Sequence, residues 1–294
     1  ATLAEVEDLY RPYKQKRRTR ATMAREKGLA PLAELLFAQG RDCPDPLEEA
    51  AKYVDAEKGV ETAEDALAGA SDIVAEALSD DAELRKALRE LLSKNGKLHS
   101  EAAVEEDTVY RLYYDFTRPL SQMQGHQVLA VNRGEKEGKL KVSVELDRDL
   151  ALRTLRRRVV VPGSPAMGFV KAAAEDAYDR LVFPSLEREA RSGLTEAASE
   201  GAIGQFALNL KPLLMQPPVK GKVTMGLDPG YRMGCKVAVV DGTGKVLDTA
   251  VVYPTYGERQ KKEAVAALAK LIQKHGVEHI AIGNGTASRE TEQM

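Results

Sequence analysis

Residues 216–230 read Gln-Pro-Pro-Val-Lys-Gly-Lys-Val-Thr-Met-Gly-Leu-Asp-Pro-Gly, and the pattern of the chain changes within them. The two consecutive prolines exclude a helix, and the glycine and lysines that follow them carry no apolar pattern. The apolar run Val223–Leu227 then predicts a β-strand that ends at Asp228. We therefore predict a domain boundary here, with a helical region over residues 1–216 and an α/β domain over residues 217–294.

The segment after the boundary alternates short apolar runs with turns and contains one amphipathic helix. Further strands are predicted at Cys235–Val240, Val246–Tyr253 and Val277–Ile282, with a helix over Glu258–Lys274. Asp241-Gly242-Thr243-Gly244 is typical of a hairpin turn, because no helix and no Lys-Ser/Thr pair follow it as in a phosphate loop. Strands joined by tight turns are expected to be antiparallel, and the helix crossover is expected to bring the fourth strand alongside as a parallel neighbour.

The segment before the boundary is predicted to be mainly helical. Up to about Phe116 short amphipathic patterns recur, and in Asp81–Lys94 leucines follow one another at a spacing of three and four residues. Residues 126–146 differ, because β-branched runs on either side of a charged, glycine-containing loop predict a small β hairpin. Helical patterning resumes near Ser164 and continues to Leu214. The predicted fold class is a mainly α amino-terminal region with a small β hairpin, followed by a truncated α/β domain.

The composition is that of a globular, intracellular protein. Of the 294 residues, 43% are hydrophobic and 30% are charged, which suffices for a core and a polar surface. Cys43 and Cys235 have no spacing typical of a disulfide framework or a zinc site, so a reducing, cytoplasmic location is expected. No stretch reaches the roughly 20 apolar residues of a membrane span, and the amino terminus does not resemble a secretory signal. The net charge of -2 excludes a uniformly basic protein but leaves room for local basic patches.

Two clusters of basic residues are candidates for contact with phosphates. Neutralising phosphates releases counterions, which gives an affinity that falls with salt and carries little sequence information. The first cluster, which we predict to bind nucleic acid, consists of Lys14, Lys16, Arg17, Arg18, Arg20 and Arg25. The second cluster consists of Arg153, Arg156, Arg157 and Arg158, and nearby aspartates make internal pairing easier there. For both clusters the alternative is a solvated surface paired to neighbouring acids.

Several longer stretches of the sequence resemble the transcription accessory Tex family. They are Asp8–Lys14, Lys16–Arg20, Ala24–Leu29, Phe183–Glu189, Pro217–Lys222, Gly226–Arg232, Tyr253–Gly257 and Ile282–Glu290. The resemblance spans essentially the whole chain, and runs of this length are more specific than a short motif. It implies a transcription-associated, nucleic-acid-binding protein with a helical amino-terminal half and a ribonuclease-H-like domain of the YqgF type. It also implies a fragment, which begins inside the family's helical region and lacks the helix-hairpin-helix elements and the OB-type RNA-binding domain that follow in the family.

The resemblance makes Asp228 a candidate catalytic and Mg²⁺-binding residue, because resolvases with this fold hold a divalent metal at the end of the first strand. Metal-dependent hydrolysis needs several converging carboxylates. The end of the fourth strand, where another acid is expected, holds Gly283-Asn284-Gly285, and any later acid falls beyond Met294. We therefore expect a degenerate site without a cofactor. The alternative is a turn in which Asp228 caps backbone N–H groups.

Together these features predict a binding and scaffold role without catalysis. The protein is expected to be a nucleic-acid-binding transcription accessory factor, with RNA or DNA and the transcription machinery as partners and no contact with membranes. One alternative is a metal-dependent nuclease or resolvase whose remaining site residues lie beyond the fragment. The other is a protein-interaction module of the transcription machinery. A completed carboxylate cluster would favour the nuclease, and the absence of salt-sensitive nucleic-acid binding would favour the interaction module.

Overall fold

The structure, a computed structural model, describes residues 3–15, 17–217 and 219–294, without the side chain of Leu3. The chain divides into two compact units, residues 1–208 and 209–294. This division lies a few residues before the proline connector at which the sequence predicts the boundary. The predicted fold class is confirmed, since the first unit is mainly α-helical and the second has α/β architecture.

The first unit contains helices and one small sheet. In the described residues the helices are α1 (Leu3–Tyr10), α2 (Arg20–Glu26), α3 (Ala30–Ala38), α4 (Pro46–Ala50), α5 (Ala63–Asp80), α6 (Ala82–Asn95), α7 (Gly125–Lys136), α8 (Arg148–Val159), α9 (Met167–Asp176) and α10 (Phe183–Leu214). The strands are β1 (Lys97–Ala102), β2 (Asp115–Pro119) and β3 (Leu140–Glu145). They form an antiparallel sheet in the order β2-β1-β3.

Helices α5 and α6 show how local sequence fixes the core of this unit. Thr62 and Asp65 form a capping box that begins α5, and the Asp81 side chain accepts a hydrogen bond from the Leu84 N–H at 2.8 Å to begin α6. Leu84, Leu88 and Leu92 of α6 are all buried, because a spacing of four residues places them on one helix face. The helix predicted over Asp81–Lys94 is therefore confirmed.

The β hairpin predicted over residues 126–146 is wrong in its first half. Gly125–Lys136 is helix α7, and its buried Val128, Val131 and Gly134 lie three residues apart on one face. The β-branched composition of this segment is therefore overridden by a helical period that packs against Leu140. The second half is a strand as predicted, but β3 pairs with β1.

The helical prediction up to Phe116 is wrong from Lys97 onward, where β1 and β2 begin the small sheet. In β1 every second residue turns inward, and Leu98 and Ser100 are buried. The Ser100 hydroxyl donates to the Tyr113 carbonyl at 2.7 Å, which satisfies the buried polar group. The alternation in Lys97–Ala102 is short and polar, so it does not stand out from the preceding helical pattern.

A π-helical segment, Ala177–Val182, joins α9 to α10. Pro184 lies just after it, and proline in a continuous α-helix has no N–H to donate and crowds the carbonyl four residues earlier, here that of Arg180. The wider π turn accommodates this interruption, and Arg180 lies within it. Such segments are often found at functional sites.

The second unit is a four-stranded mixed sheet with one long helix. Its elements are β4 (Thr224–Asp228), β5 (Cys235–Val240), β6 (Val246–Val252), α11 (Glu258–His275), β7 (His279–Ile282) and the short α12 (Ser288–Glu292). The strand order is β6-β5-β4-β7, with β4 antiparallel to β5 and parallel to β7. The strands, helix and pairing directions predicted after the proline connector are thus confirmed, with ends displaced by one or two residues.

One face of this sheet is covered by α11. Met225, Val237 and Val239 point to that face and pack with Ala264 and Leu268 of the helix. The turn at Asp241 closes β5 onto β6, because its Oδ1 accepts hydrogen bonds from the N–H groups of Thr243 and Lys245 at 2.8 and 3.0 Å. It is a hairpin turn and not a phosphate loop, as the sequence predicts.

Candidate functional site

The first basic cluster, Lys14 to Arg25, is partly paired with acids of the same unit. Arg18 lies 3.2 Å from Glu26, and Arg25 lies 3.1 Å from Glu76. Lys14 and Glu7 are 4.0 Å apart and both are exposed. The predicted residue Lys16 lies outside the described residues. The pairs of Lys14 and Arg18 are exposed on both sides and contribute little stability, so these two cations remain able to exchange partners.

Arg17 and Arg20 differ from the rest of the cluster. Both are exposed, and their side chains make no hydrogen bond or ion pair with the described residues. Together with Lys14 they line a cleft of about 380 Å³ in the first unit. The structure therefore brings three of the predicted phosphate-binding residues to one place.

The same cleft contains residues that the sequence analysis missed. Asp72, Glu76 and Asp80 line it from α5, and Arg180 lines it from the π segment. The three acids follow each other at intervals of four residues, so the helical period could have placed them on one face. No local signal connects Arg180 to this place, because it lies far along the chain.

The second basic cluster is carried by α8. Arg156 pairs with Glu175, and Arg153 donates to the backbone carbonyl of Asp149 at 3.3 Å. Arg157 and Arg158 are exposed and pair with no acid among the described residues. The predicted internal pairing is thus seen for only part of this cluster.

Asp228 ends β4, is exposed and lies beside Lys236 of β5 in the strand register. Gly283 follows β7 at the same end of the sheet, and its N–H donates to the Leu227 carbonyl at 2.9 Å. A Cβ atom at Gly283 would lie 4.0 Å from the Asp228 Oδ1 atom. The position at which the resemblance predicts a second carboxylate is therefore occupied by a residue without a side chain.

The side chains around Asp228 do not fit a Mg²⁺ ion. Within the described ranges, no three His, Cys, Asp or Glu side chains lie close enough together to hold a metal ion. Magnesium prefers six oxygen ligands, several of them carboxylate oxygens or ordered water. The Asp228 carboxylate also accepts no hydrogen bond from the described residues, so the predicted capping role is not seen.

The loop after Asp228 is held by tyrosines. The Tyr256 hydroxyl donates to the Arg232 carbonyl at 2.8 Å, and the Tyr231 hydroxyl donates to Glu290 Oε1 at 2.8 Å. Glu290, an acid downstream of the fourth strand, is therefore engaged by a tyrosine. These contacts fix the loop that leads away from the tip of β4.

Two histidines, His99 and His275, have structural partners. His275 Nε2 lies 2.9 Å from Asp248 Oδ2, and Lys274 donates to the same oxygen at 2.8 Å. Hydrogen bonds from Lys274 and His275 hold the pKa of Asp248 well below its usual range. These contacts tie α11 to β6, and His99 Nδ1 lies 2.8 Å from the Thr117 hydroxyl in the small sheet.

Among the helices of the described ranges, none combines the length and the apolar character required to cross a membrane.

Two family models match the sequence. The model described as "Tex central region-like" matches residues 42–206, and the model described as "Tex protein YqgF-like domain" matches residues 222–294.

Curated proteins with similar sequences carry related names. "Protein tex" of Bordetella pertussis is 40% identical over 100% of this chain and 39% of its own length, and "Transcriptional accessory protein Tex" of Neisseria gonorrhoeae is 41% identical over 98% and 38%. The human "S1 RNA-binding domain-containing protein 1" is 32% identical over 99% of this chain and 30% of its own length. The chain therefore spans about two fifths of the length of the bacterial relatives.

Proposed function

Because the chain belongs to the Tex family, we propose that it is a cytoplasmic, nucleic-acid-binding transcription accessory factor that acts by binding and not by catalysis. Within it, residues 1–216 form the helical central region and residues 217–294 belong to the YqgF-type domain. RNA or DNA is the partner of the first unit, and the transcription machinery is the wider context. The printed names of the relatives in Neisseria and human, which mention transcription and RNA binding, support this proposal.

The observation that carries the proposal is the pair Arg17 and Arg20. Both guanidinium groups are exposed and make no hydrogen bond or ion pair with the described residues, so their N–H groups can donate to phosphate oxygens in a bidentate manner. Lys14 adds a third cation to the same cleft. Contacts of this type fix a protein on a nucleic-acid backbone without reading its sequence.

The proposal of a non-catalytic role is supported by the end of β4. Two-metal hydrolysis requires ligands on both sides of the scissile phosphate, and Asp228 lies opposite Gly283 instead of a second acid. Within this chain we therefore assign no chemical step to Asp228.

Binding to single-stranded RNA, single-stranded DNA and duplex is expected to weaken as salt rises. Replacing Lys16, Arg17 and Arg18 by alanine is expected to flatten the slope of log affinity against log salt, by about 0.7–0.9 for each phosphate contact that is lost. Fluorescence anisotropy over a salt series measures the slope. A matched control replaces Arg153, Arg157 and Arg158 by alanine. This variant removes the same amount of positive charge elsewhere in the first unit. An unchanged slope in the first variant together with a flattened slope in the control would move the binding surface to α8. Salt-insensitive or absent binding to all three nucleic acids would favour a protein-interaction module.

No cleavage of branched DNA, duplex DNA or RNA is expected when the chain is incubated with Mg²⁺ or Mn²⁺. The physical reason is the missing carboxylate partner of Asp228. Gel analysis of end-labelled substrates makes the test, with Asp228→Asn as the matched variant. Divalent-dependent cleavage that disappears in Asp228→Asn would establish the nuclease alternative instead.

A further inference from the structure

The cleft in the first unit carries a surplus of positive charge. Five cationic side chains and three carboxylates line it. The Asp80 carboxylate pairs with Arg11 at 3.4 Å, and both residues line the cleft. Arg11 is half-buried and also lines the cleft.

The other two carboxylates are also neutralised by defined contacts. Glu76 receives hydrogen bonds from the Thr19 hydroxyl at 2.8 Å and from Arg25 at 3.1 Å. Asp72 receives one from Arg180 at 2.8 Å. Burial raises the pKa of Asp72, and the charges of Arg180 and Arg20 offset part of that rise. These acids are therefore already paired, and their charge does not cancel that of Lys14, Arg17 and Arg20.

The lining cations that do not pair with the acids of the cleft come from one short stretch of the chain. Lys14 and Arg17 come from the segment between α1 and α2, and Arg20 is the first residue of α2. Thr19 fixes this segment through two hydrogen bonds. Its hydroxyl accepts from the Thr22 N–H, which caps α2, and donates to the Glu76 carboxylate. Arg18, between them in sequence, turns away and pairs with Glu26.

A second, independent feature points to the same place. Arg180 reaches the cleft from the π-helical segment Ala177–Val182, and its guanidinium donates to both Asp72 and Asp176. A π segment departs from regular α-helical hydrogen bonding, and such segments are frequent at functional sites. Here the Arg180 side chain pairs with Asp72, and both residues line the cleft.

We propose that this cleft binds a phosphate group through Arg17, Arg20 and Lys14. A phosphate fits because its tetrahedral oxygens accept from several guanidinium groups at once, and because the surrounding acids already have partners. The volume of about 380 Å³ admits a phosphate together with part of the attached nucleotide. The inference deepens the proposed function, since a nucleic-acid backbone and a terminal or free phosphate offer the same chemistry.

The test compares Arg20→Gln and Arg17→Gln with Arg18→Gln in the full chain. All three remove one charge from the same segment, but Arg18 does not line the cleft. The probes are inorganic phosphate, an unphosphorylated uridine oligonucleotide, and the same oligonucleotide with a terminal phosphate. Arg20→Gln and Arg17→Gln are expected to weaken binding about tenfold or more, because a charge-assisted bidentate contact is lost, and Arg18→Gln clearly less. Circular dichroism checks the fold, and Arg17 has no described contact whose loss could unfold the unit.

The outcomes separate the sources and the two proposals. If Arg20→Gln and Arg17→Gln weaken binding of the unphosphorylated oligonucleotide, the cleft binds a phosphodiester of the backbone. If they weaken only binding of the terminally phosphorylated oligonucleotide or of inorganic phosphate, the cleft binds a phosphomonoester. Both support the inference. Equal losses in all three variants, or none, overturn it while leaving salt-dependent nucleic-acid binding intact. If the chain binds phosphate through Arg20 but binds no nucleic acid, the proposed function is wrong and the inference about the cleft stands.

Discussion

Replacing Asp8 by alanine is expected to lower the free energy of unfolding of the first unit by about 3–5 kcal/mol. The Asp8 carboxylate accepts a hydrogen bond from Arg85 Nε at 2.6 Å and another from Arg89 Nη2 at 2.5 Å. The side chains of Arg85 and Asp8 are only 2% and 5% exposed. Without Asp8 the Arg85 charge would stay buried with little compensation, and this uncompensated burial is the source of the loss.

The remaining partners cannot replace Asp8. Arg85 also donates to the Ser185 hydroxyl at 3.2 Å, and its Nη1 atom has no hydrogen-bond partner in the described residues. Glu189 lies 3.7 Å from Arg85, but its side chain is 35% exposed and its closer contact is with Arg89. Asp8 is therefore the buried carboxylate of the network, and it joins α1 to α6.

Urea unfolding followed by far-ultraviolet circular dichroism measures this effect. Glu7→Ala is the matched control, because Glu7 is the neighbouring acid of α1 and its contact with Lys14 is exposed, so a change of no more than about 1 kcal/mol is expected. Asp8→Leu combined with Arg85→Met removes both buried charges and is expected to recover most of the stability. A loss in the double variant as large as in Asp8→Ala would show that shape, and not the unpaired charge, is what the unit requires.

This network also connects structure with the family resemblance. Asp8 lies in one of the stretches that resemble the Tex family, and Ser185 and Glu189 lie in another, far along the chain. The fold brings both stretches to Arg85 and Arg89. Because α1 leads directly into the segment that lines the phosphate cleft, its anchoring by Asp8 also determines where Lys14 and Arg17 stand.

The second unit was predictable from sequence because its signals are local. The turn at Asp241–Gly244, the αL glycine Gly276 that ends α11 and the spacing of Val237 and Val239 each act within a few residues. Strand directions then follow from the lengths of the connections. Little long-range information is needed.

The first unit was less predictable because its decisive contacts join distant residues. Val128 and Val131 are β-branched residues, which favour a strand. The segment is nevertheless helical, because the helix face that carries these residues packs against β3. The cleft is a similar case, since Arg17 and Arg20 are visible as a charge cluster whereas Arg180 reaches them only in the folded unit. Sequence therefore identified the cations but not which of them remain unpaired.

Gly234→Ala is expected to destabilise the second unit by about 2–5 kcal/mol. Gly234 has a φ of 70°, a left-handed conformation that costs a residue with a Cβ atom roughly 1–2 kcal/mol. A Cβ atom there would also lie 2.7 Å from the Tyr253 ring and 2.8 Å from the Val252 carbonyl oxygen. The matched control is Gly244→Ala, because Gly244 has a φ of 90° and open space around its Cβ position. The control therefore measures the backbone cost alone.

Hydrogen exchange of amides in β5 and β6 reports this loss separately from the first unit. Exchange is expected to accelerate much more in Gly234→Ala than in Gly244→Ala, and equal acceleration would mean that the contacts at Gly234 yield without cost. Adding Tyr253→Ala to Gly234→Ala separates the two contacts further. A tyrosine ring can rotate away, but the Val252 carbonyl belongs to β6 and cannot move without disturbing its pairing with β5. The double variant should therefore recover only part of the protection, and full recovery would place the whole steric cost on the ring. In either case the loop that leaves Asp228 owes its path to the absence of a side chain at Gly234.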